Sequence, residues 1–202
     1  MTLDPFYPVL PSAEWVERAV RGGARLVQLR AKDLAPDALR AETARARTAC
    51  AEAGATLVLN DDWRLAIELG VDYVHLGQGD LDTADVPALR RHGIRLGLST
   101  HDEAELDRAL SHAPDYVALG PVYPTKLKVM PWAPQGLDRV TAWKKALGGL
   151  PLVAIGGLTT ERIAGVRRAG ADCVAVVTDL VTAPDPDARI RDWVVATRPP
   201  IQ

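Results

Sequence analysis

Cysteine is nearly missing from this chain. Only Cys50 and Cys173 occur in 202 residues, far apart and in no metal-ligand spacing. One falls in an alanine-rich helical pattern and the other in an apolar run, so both are expected as buried structural thiols. An excess of one charge is also missing: 24 basic against 26 acidic residues give a net charge of -2. That argues against a nucleic-acid or anionic-membrane binder, and any anionic ligand must be held by a local cluster of cations and amides. No apolar run approaches the roughly 20 residues needed to span a bilayer. The start lacks a basic segment followed by an apolar one, so no secretory signal is expected and the cytoplasm is the default compartment. No linker or composition break divides residues 1–202, which are read as a single domain.

What the chain does have is a rhythm. Hydrophobic residues make up 48% of it, and short β-branched apolar runs recur. Strands are predicted near Tyr7–Leu10, Arg25–Arg30, Thr56–Asn60, Tyr73–Gly77, Arg95–Leu98, Tyr116–Gly120, Leu152–Ile155 and Cys173–Val177. Their nearly continuous hydrophobicity marks parallel strands covered on both faces. Helical patterns separate them. Ser12 caps one that stops at Gly22, Pro36 opens one ending at Gly54, and Asp62 or Trp63 begins one ending at Gly70. Asp85 and Pro87 start another, Thr100 with Glu103 reads as a capping box, and Thr159 or Thr160 starts a further one. The last two helices cover Leu137–Leu147 and Asp187–Ala196, with a frayed tail expected at Arg198–Gln202. Eight strands alternating with eight helices fit either a closed (β/α)8 TIM barrel or an open doubly wound sheet. No glycine fingerprint follows the first strand, which disfavours the sheet, so the barrel is the expected α/β class.

Active sites of such barrels form at the C-terminal ends of the strands, and there the polar residues collect. Gln28, Arg30 and Lys32 stand at alternate positions, where an arginine fork and a lysine point charge can grip phosphate oxygens. Asp61 and Asp80 end successive strands and suggest a hard cation such as magnesium, while Asp62, directly before a helix, is expected as its cap. Gly156-Gly157 before a helix and the turn at Thr178 offer amides to an anion. His75 ends a strand, whereas His92 and His112 are expected at the surface. The segment Tyr123–Gly136, with Pro124, Pro131, Pro134 and Trp132, is long for a barrel connection and is a candidate lid.

Taken in order, these strand ends resemble the thiamine-phosphate synthase family from about Tyr7 to Val194. The resemblance is carried by Gln28-Leu29-Arg30-Ala31-Lys32, Asn60-Asp61, His75-Leu76-Gly77-Gln78 with Asp80, Gly97-Leu98-Ser99, Gly120-Pro121-Val122-Tyr123-Pro124-Thr125, Ala154-Ile155-Gly156-Gly157 and Val176-Val177-Thr178. It implies a transferase joining 4-amino-2-methyl-5-hydroxymethylpyrimidine diphosphate to 4-methyl-5-(2-phosphoethyl)thiazole or its carboxylate, through a pyrimidine-methyl cation. It further implies Mg²⁺ on Asp61 and Asp80. Arg30, Lys32, Asn60, Ser99 and Lys128 would surround the diphosphate, with Gln28 and His75 near the pyrimidine. Thr125 would face the thiazole substrate, whose phosphate would sit at Gly157 and Thr178. Small phosphorylated molecules are then the partners, with no nucleic acid or membrane, and homo-oligomer formation is left open.

Two departures stand out. Thr125-Lys126-Leu127-Lys128 replaces the family's Thr-x-Thr-Lys, losing one hydroxyl, and Thr178-Asp179 replaces Ser-Ala, adding a charge that is expected to turn away or pair with a base. The rival readings are a thiazole tautomerase-like isomerase and a non-catalytic barrel that binds thiamine precursors. Lys32, Asp61, Asp80 and Lys128 together favour the synthase.

Overall fold

The computed structural model describes residues 3–125 and 132–198. Its strands are β1 (Phe6–Leu10), β2 (Leu26–Leu29), β3 (Thr56–Asn60), β4 (Tyr73–Leu76), β5 (Arg95–Thr100), β6 (Tyr116–Leu119), β7 (Leu152–Ile155) and β8 (Cys173–Val176). Between and after them run α1 (Ala13–Arg21), α2 (Pro36–Ala53), α3 (Trp63–Leu69), α4 (Val86–Arg91), α5 (Glu103–Ser111), α6 (Gly136–Leu147), α7 (Ile163–Arg168), α8 (Thr178–Val181) and α9 (Pro186–Thr197). Each strand pairs in parallel with the next, and β8 returns to β1. The sheet is therefore a closed (β/α)8 barrel, and the open sheet with two free edges is excluded. Among the described residues no helix is long and apolar enough to cross a membrane.

Local chemistry sets most helix ends. Ser12 accepts from the Trp15 amide at the start of α1, and Asp62 from the Leu65 amide at 2.9 Å at the start of α3, as a capping residue should. The capping box expected at Thr100 is not there. Thr100 is the last residue of β5 and is fully buried; its hydroxyl donates to the Ala118 carbonyl and accepts from Trp143 Nε1 on α6. The cap lies two residues on: Asp102 accepts from the Glu105 amide, and the Glu105 carboxylate reaches back to the His101 amide at 2.8 Å. A tertiary partner for the Thr100 hydroxyl thus outweighs its local capping preference. The tail residues 199–202 lie outside the described residues, whereas Arg198 is anchored on the Gly23 carbonyl at 2.7 Å.

Strand alternation divides the core into two layers. Outward-facing residues such as Leu57, Leu59, Leu76 and Leu98 pack against the helices, with Phe6 stacked on Trp193 of α9. Inward-facing Tyr7, Leu26, Val58, Tyr73, Tyr116, Val153 and Ala175 fill the barrel itself. The Tyr116 ring lies across the interior, and β5 gives way with Gly97, where an added Cβ would sit 2.0 Å from the ring. Both cysteines are buried, and burial pushes the Cys50 thiol up to about 12, so neither is a reactive thiolate.

The end of the barrel opposite the C-terminal mouth of the strands is held by a repeated device. Asp72, Asp115 and Asp172 each directly precede an even-numbered strand, and each accepts the first free amide of the strand before it: Leu57, Leu96 and Leu152, at 3.2, 2.8 and 2.8 Å. Asp115→Ala strands the Leu96 amide and should cost about 1–2 kcal/mol in denaturant unfolding, with catalytic activity kept because the mouth is at the other end. An unchanged unfolding midpoint would show that water satisfies the amide and that this carboxylate does not hold the barrel end.

Candidate active site

The inward-facing rows change character as they reach the C-terminal mouth. Leu26 gives way to Gln28, Val58 to Asn60, Tyr73 to His75 and Gly97 to Ser99, each two residues further along its strand. Apolar packing below and polar groups above are the same alternation read at two depths. Arg30, just past β2, is exposed, as is Lys32.

Asp61 follows β3 in a left-handed conformation, φ 64°, that few non-glycine residues adopt. Its amide donates to the His75 carbonyl at 2.9 Å, and the turn leaves Asp62 free to cap α3. Asp80 comes from the loop after β4 and accepts the Gly77 amide at 2.8 Å. The two carboxylates approach each other closely. Solvent reaches Asp61, yet desolvation in the mouth, then the charge of Asp80, push its pKa up, while Lys32 and Arg30 pull it down. Four of the expected site residues therefore share one electrostatic neighbourhood. Two facing carboxylates with no nitrogen or sulfur ligand suit a hard divalent cation that takes its remaining ligands from phosphate and water. Among the described residues no group of three or more His, Cys, Asp or Glu could hold a metal alone.

His75 is buried, its Nε2 2.8 Å from Ser99 Oγ and its Nδ1 2.8 Å from Tyr116 Oη. Burial first, and Arg30 second, lower its pKa to about 4, so the imidazole is neutral near pH 7. Gln78 Nε2 donates to the Ser99 carbonyl at 2.7 Å and ties the β4 loop to the end of β5. Gln78, quoted in the sequence without a role, and Tyr7 and Tyr116, not named there as site residues, contribute to the site. The signal for the two tyrosines is parity: each lies an even number of residues below the mouth on an inward-facing row.

A small cavity at the ends of β7 and β8 is lined by Thr125, Ile155, Gly156, Gly157, Thr178 and Asp179 among others. Gly156 and Gly157 have φ 99° and 65°, and side chains there would strike Pro121 and Pro124. The Val122 and Tyr123 amides donate to the Ile155 and Gly156 carbonyls at 2.9 and 3.0 Å. The glycine pair is thus needed for this close backbone approach as well as for the cavity floor. Asp179 pairs with a base, one of the two outcomes expected: Arg189 grips both its oxygens at 2.8 and 3.1 Å, and Trp193 Nε1 donates to it at 2.7 Å. Lys128, Lys126 and Leu127 lie outside the described residues. Trp132, from the end of the same connection, stacks on His101 with centroids 5.0 Å apart.

His75 also makes a stability prediction. Its folded pKa lies below the value of 6.5 for a free imidazole, so between about 4 and 6.5 the unfolded chain binds the extra proton. Stability should therefore fall as pH drops through that window, by roughly 3 kcal/mol from this residue alone. Unfolding curves of wild type and His75→Gln should diverge above pH 6.5 and converge near pH 4; a constant offset would contradict a buried neutral imidazole.

The chain matches the family model for thiamine monophosphate synthase over residues 7–180. The thiamine-phosphate synthase of Rhizobium etli is 58% identical, with 98% of each chain covered. That of Neisseria meningitidis serogroup A is 50% identical over 92% of this chain and 91% of its own. Among solved structures, a thiamine phosphate pyrophosphorylase from Pyrococcus furiosus superposes with a TM-score of 0.85, covering 96% of this chain and 95% of that one; at 24% identity it speaks for the fold. With a family match across most of its length and relatives at this identity, the chain belongs to the thiamine-phosphate synthase family of transferases.

Proposed function

We propose that the mouth performs the family's condensation as a charge-neutralising cradle rather than as an acid-base site. The observation that carries this is the approach of Asp61 to Asp80 with Arg30 and Lys32 acting on the same carboxylate. Asp61 and Asp80 would hold Mg²⁺, which when bound supplies positive charge to the diphosphate oxygens. Arg30, Lys32, Asn60, Ser99 and Lys128 would surround that diphosphate. The C–O bond between the pyrimidine methylene and the diphosphate breaks with its electron pair leaving on oxygen. The amino group of the ring stabilises the resulting cation. Gln28 and His75 border the pyrimidine, and the neutral His75 adds no charge to oppose the developing cation. The thiazole nitrogen then donates its lone pair to the methylene carbon, giving thiamine phosphate and diphosphate. Thr125 would face the thiazole, and the amides at Gly157 and Thr178 its phosphate. The pairing of Asp179 with Arg189 and Trp193 supports that placement, because it leaves no unpaired carboxylate facing the anion. The cytoplasm is the compartment that suits such a reaction.

Arginine and lysine aimed at the leaving group interact more strongly with it as charge develops, so they raise the chemical rate and not only binding. Lys128→Ala should lower kcat by roughly 10²- to 10³-fold, while Lys126→Ala should matter much less. Equal damage from both would show the loop to be merely basic.

The metal assignment is tested by a pair of neighbours. Asp61→Asn keeps a side chain that tolerates the left-handed turn but removes the charge. Diphosphate release from the two substrates should then demand much higher Mg²⁺ or fail, with the protein still folded. Asp62→Ala should cost about 1 kcal/mol of stability as a lost cap, with catalysis largely kept. Undiminished activity of Asp61→Asn at low Mg²⁺ would contradict the assignment.

A further inference from the structure

Five polar side chains on five strands form one continuous hydrogen-bonded line through the barrel. Gln28 Nε2 on β2 donates to Tyr7 Oη on β1 at 2.7 Å. Tyr7 Oη lies 2.8 Å from Tyr116 Oη on β6, which lies 2.8 Å from His75 Nδ1 on β4. His75 Nε2 completes the line 2.8 Å from Ser99 Oγ on β5. Residues 7 and 116 are brought together by barrel closure, and Gly97 leaves the space that lets the Tyr116 ring reach both neighbours.

The protons in such a line are not free to choose. Each hydroxyl has one proton, and a neutral imidazole has one N–H. The His75 ring is buried with a hydroxyl 2.8 Å from each nitrogen, and its neutral form offers them one donor and one acceptor. Gln28 Nε2 can only donate, so five protons serve four links and one is left over. Among the described residues neither tyrosine hydroxyl has a further acceptor, so a proton left on Tyr7 or Tyr116 would be buried unpaired, whereas Ser99 is only half-buried at the mouth. Tyr7 therefore accepts from Gln28 and donates to Tyr116. Tyr116 in turn donates to His75 Nδ1, which must be the bare nitrogen. The imidazole proton then sits on Nε2 and is given to Ser99 Oγ. The hydroxyl proton of Ser99 is left over and free to point into the mouth. The other end of the line requires the same polarity, since diphosphate oxygens only accept.

We infer that Tyr7, Tyr116 and His75 are positioning residues that fix His75 as its Nε2–H tautomer and thereby present Ser99 as a hydrogen-bond donor to the leaving diphosphate. The second half rests on the proposed placement of diphosphate at Ser99; the tautomer does not. A line running the other way would spend the Ser99 proton on His75 and aim lone pairs at an accumulating negative charge. Barrel packing alone would need neither hydroxyls nor an order among them, and phenylalanine would fill the same space.

The test is ¹⁵N NMR of the free protein labelled in histidine, near pH 7.5. Long-range ¹H–¹⁵N correlations should show His75 with a protonated Nε2 and a bare Nδ1. Tyr7→Phe removes one oxygen, leaves the ring, and cuts the line two links away from the imidazole. Its His75 should lose the single tautomer, its two nitrogen shifts moving toward averaged values. In the same variant kcat for diphosphate release should fall severalfold with KM for both substrates little changed. In a Ser99→Ala background Tyr7→Phe should lower kcat no further, because its effect passes through Ser99. A protonated Nδ1 in wild type overturns the inference, as does an unchanged tautomer in Tyr7→Phe or a full additional loss in the Ser99→Ala background. Absence of diphosphate release by wild type would instead strike the proposed function and leave the tautomer result standing.

Discussion

Closing eight parallel strands forces every second side chain into an interior wide enough only to be filled. The rest of the molecule depends on how that space is shared. At mid-depth Tyr116 lies across the barrel, and Gly97 yields the room for it. Because that ring carries a hydroxyl, the filler is also a hydrogen-bonding bridge between strands far apart in sequence. Above it the interior rows become polar, and the residues at their ends are delivered to the mouth by the same parity that packs the rows below.

The two ends of the barrel divide the work. At one end Asp72, Asp115 and Asp172 satisfy backbone amides and act on the fold. At the other, Asp80 is set beside Asp61 at the expense of the ionisation of Asp61, which sits in a left-handed turn that packing alone would not select. Asp62, one residue away from that pair, is an ordinary cap. Identical side chains thus differ by their partners and not by strand end alone, and Asp179, also at the mouth end, is bound up by Arg189 and Trp193.

Much of this was legible in the sequence. The apolar runs gave the eight strands to within a residue or two, and the polar residues at their ends gave a mouth. The pairing of β8 with β1 was not legible from periodicity, which reports a strand's faces and not its neighbours. Nor was the role of Thr100, whose hydroxyl looked like a cap because local spacing says nothing of Trp143 forty-three positions away. Tyr7 and Tyr116 were hidden for the same reason: each reads as a strand aromatic, and only closure brings their hydroxyls to 2.8 Å. The family resemblance added the roles proposed for Asp61, Asp80 and the cations, which charge and spacing left as a weak pair of carboxylates and a basic loop.

The central claim is that one mouth gathers a carboxylate-held divalent cation and the leaving diphosphate together. Manganese in place of magnesium makes this directly measurable, because its unpaired electrons relax nearby phosphorus nuclei. With protein, Mn²⁺ and diphosphate, the account predicts strong paramagnetic broadening of both ³¹P resonances of protein-bound diphosphate. In Asp61→Asn the same mixture should show only the broadening of free Mn²⁺–diphosphate. Equal broadening and equal binding in the two proteins would place the metal elsewhere and contradict the account.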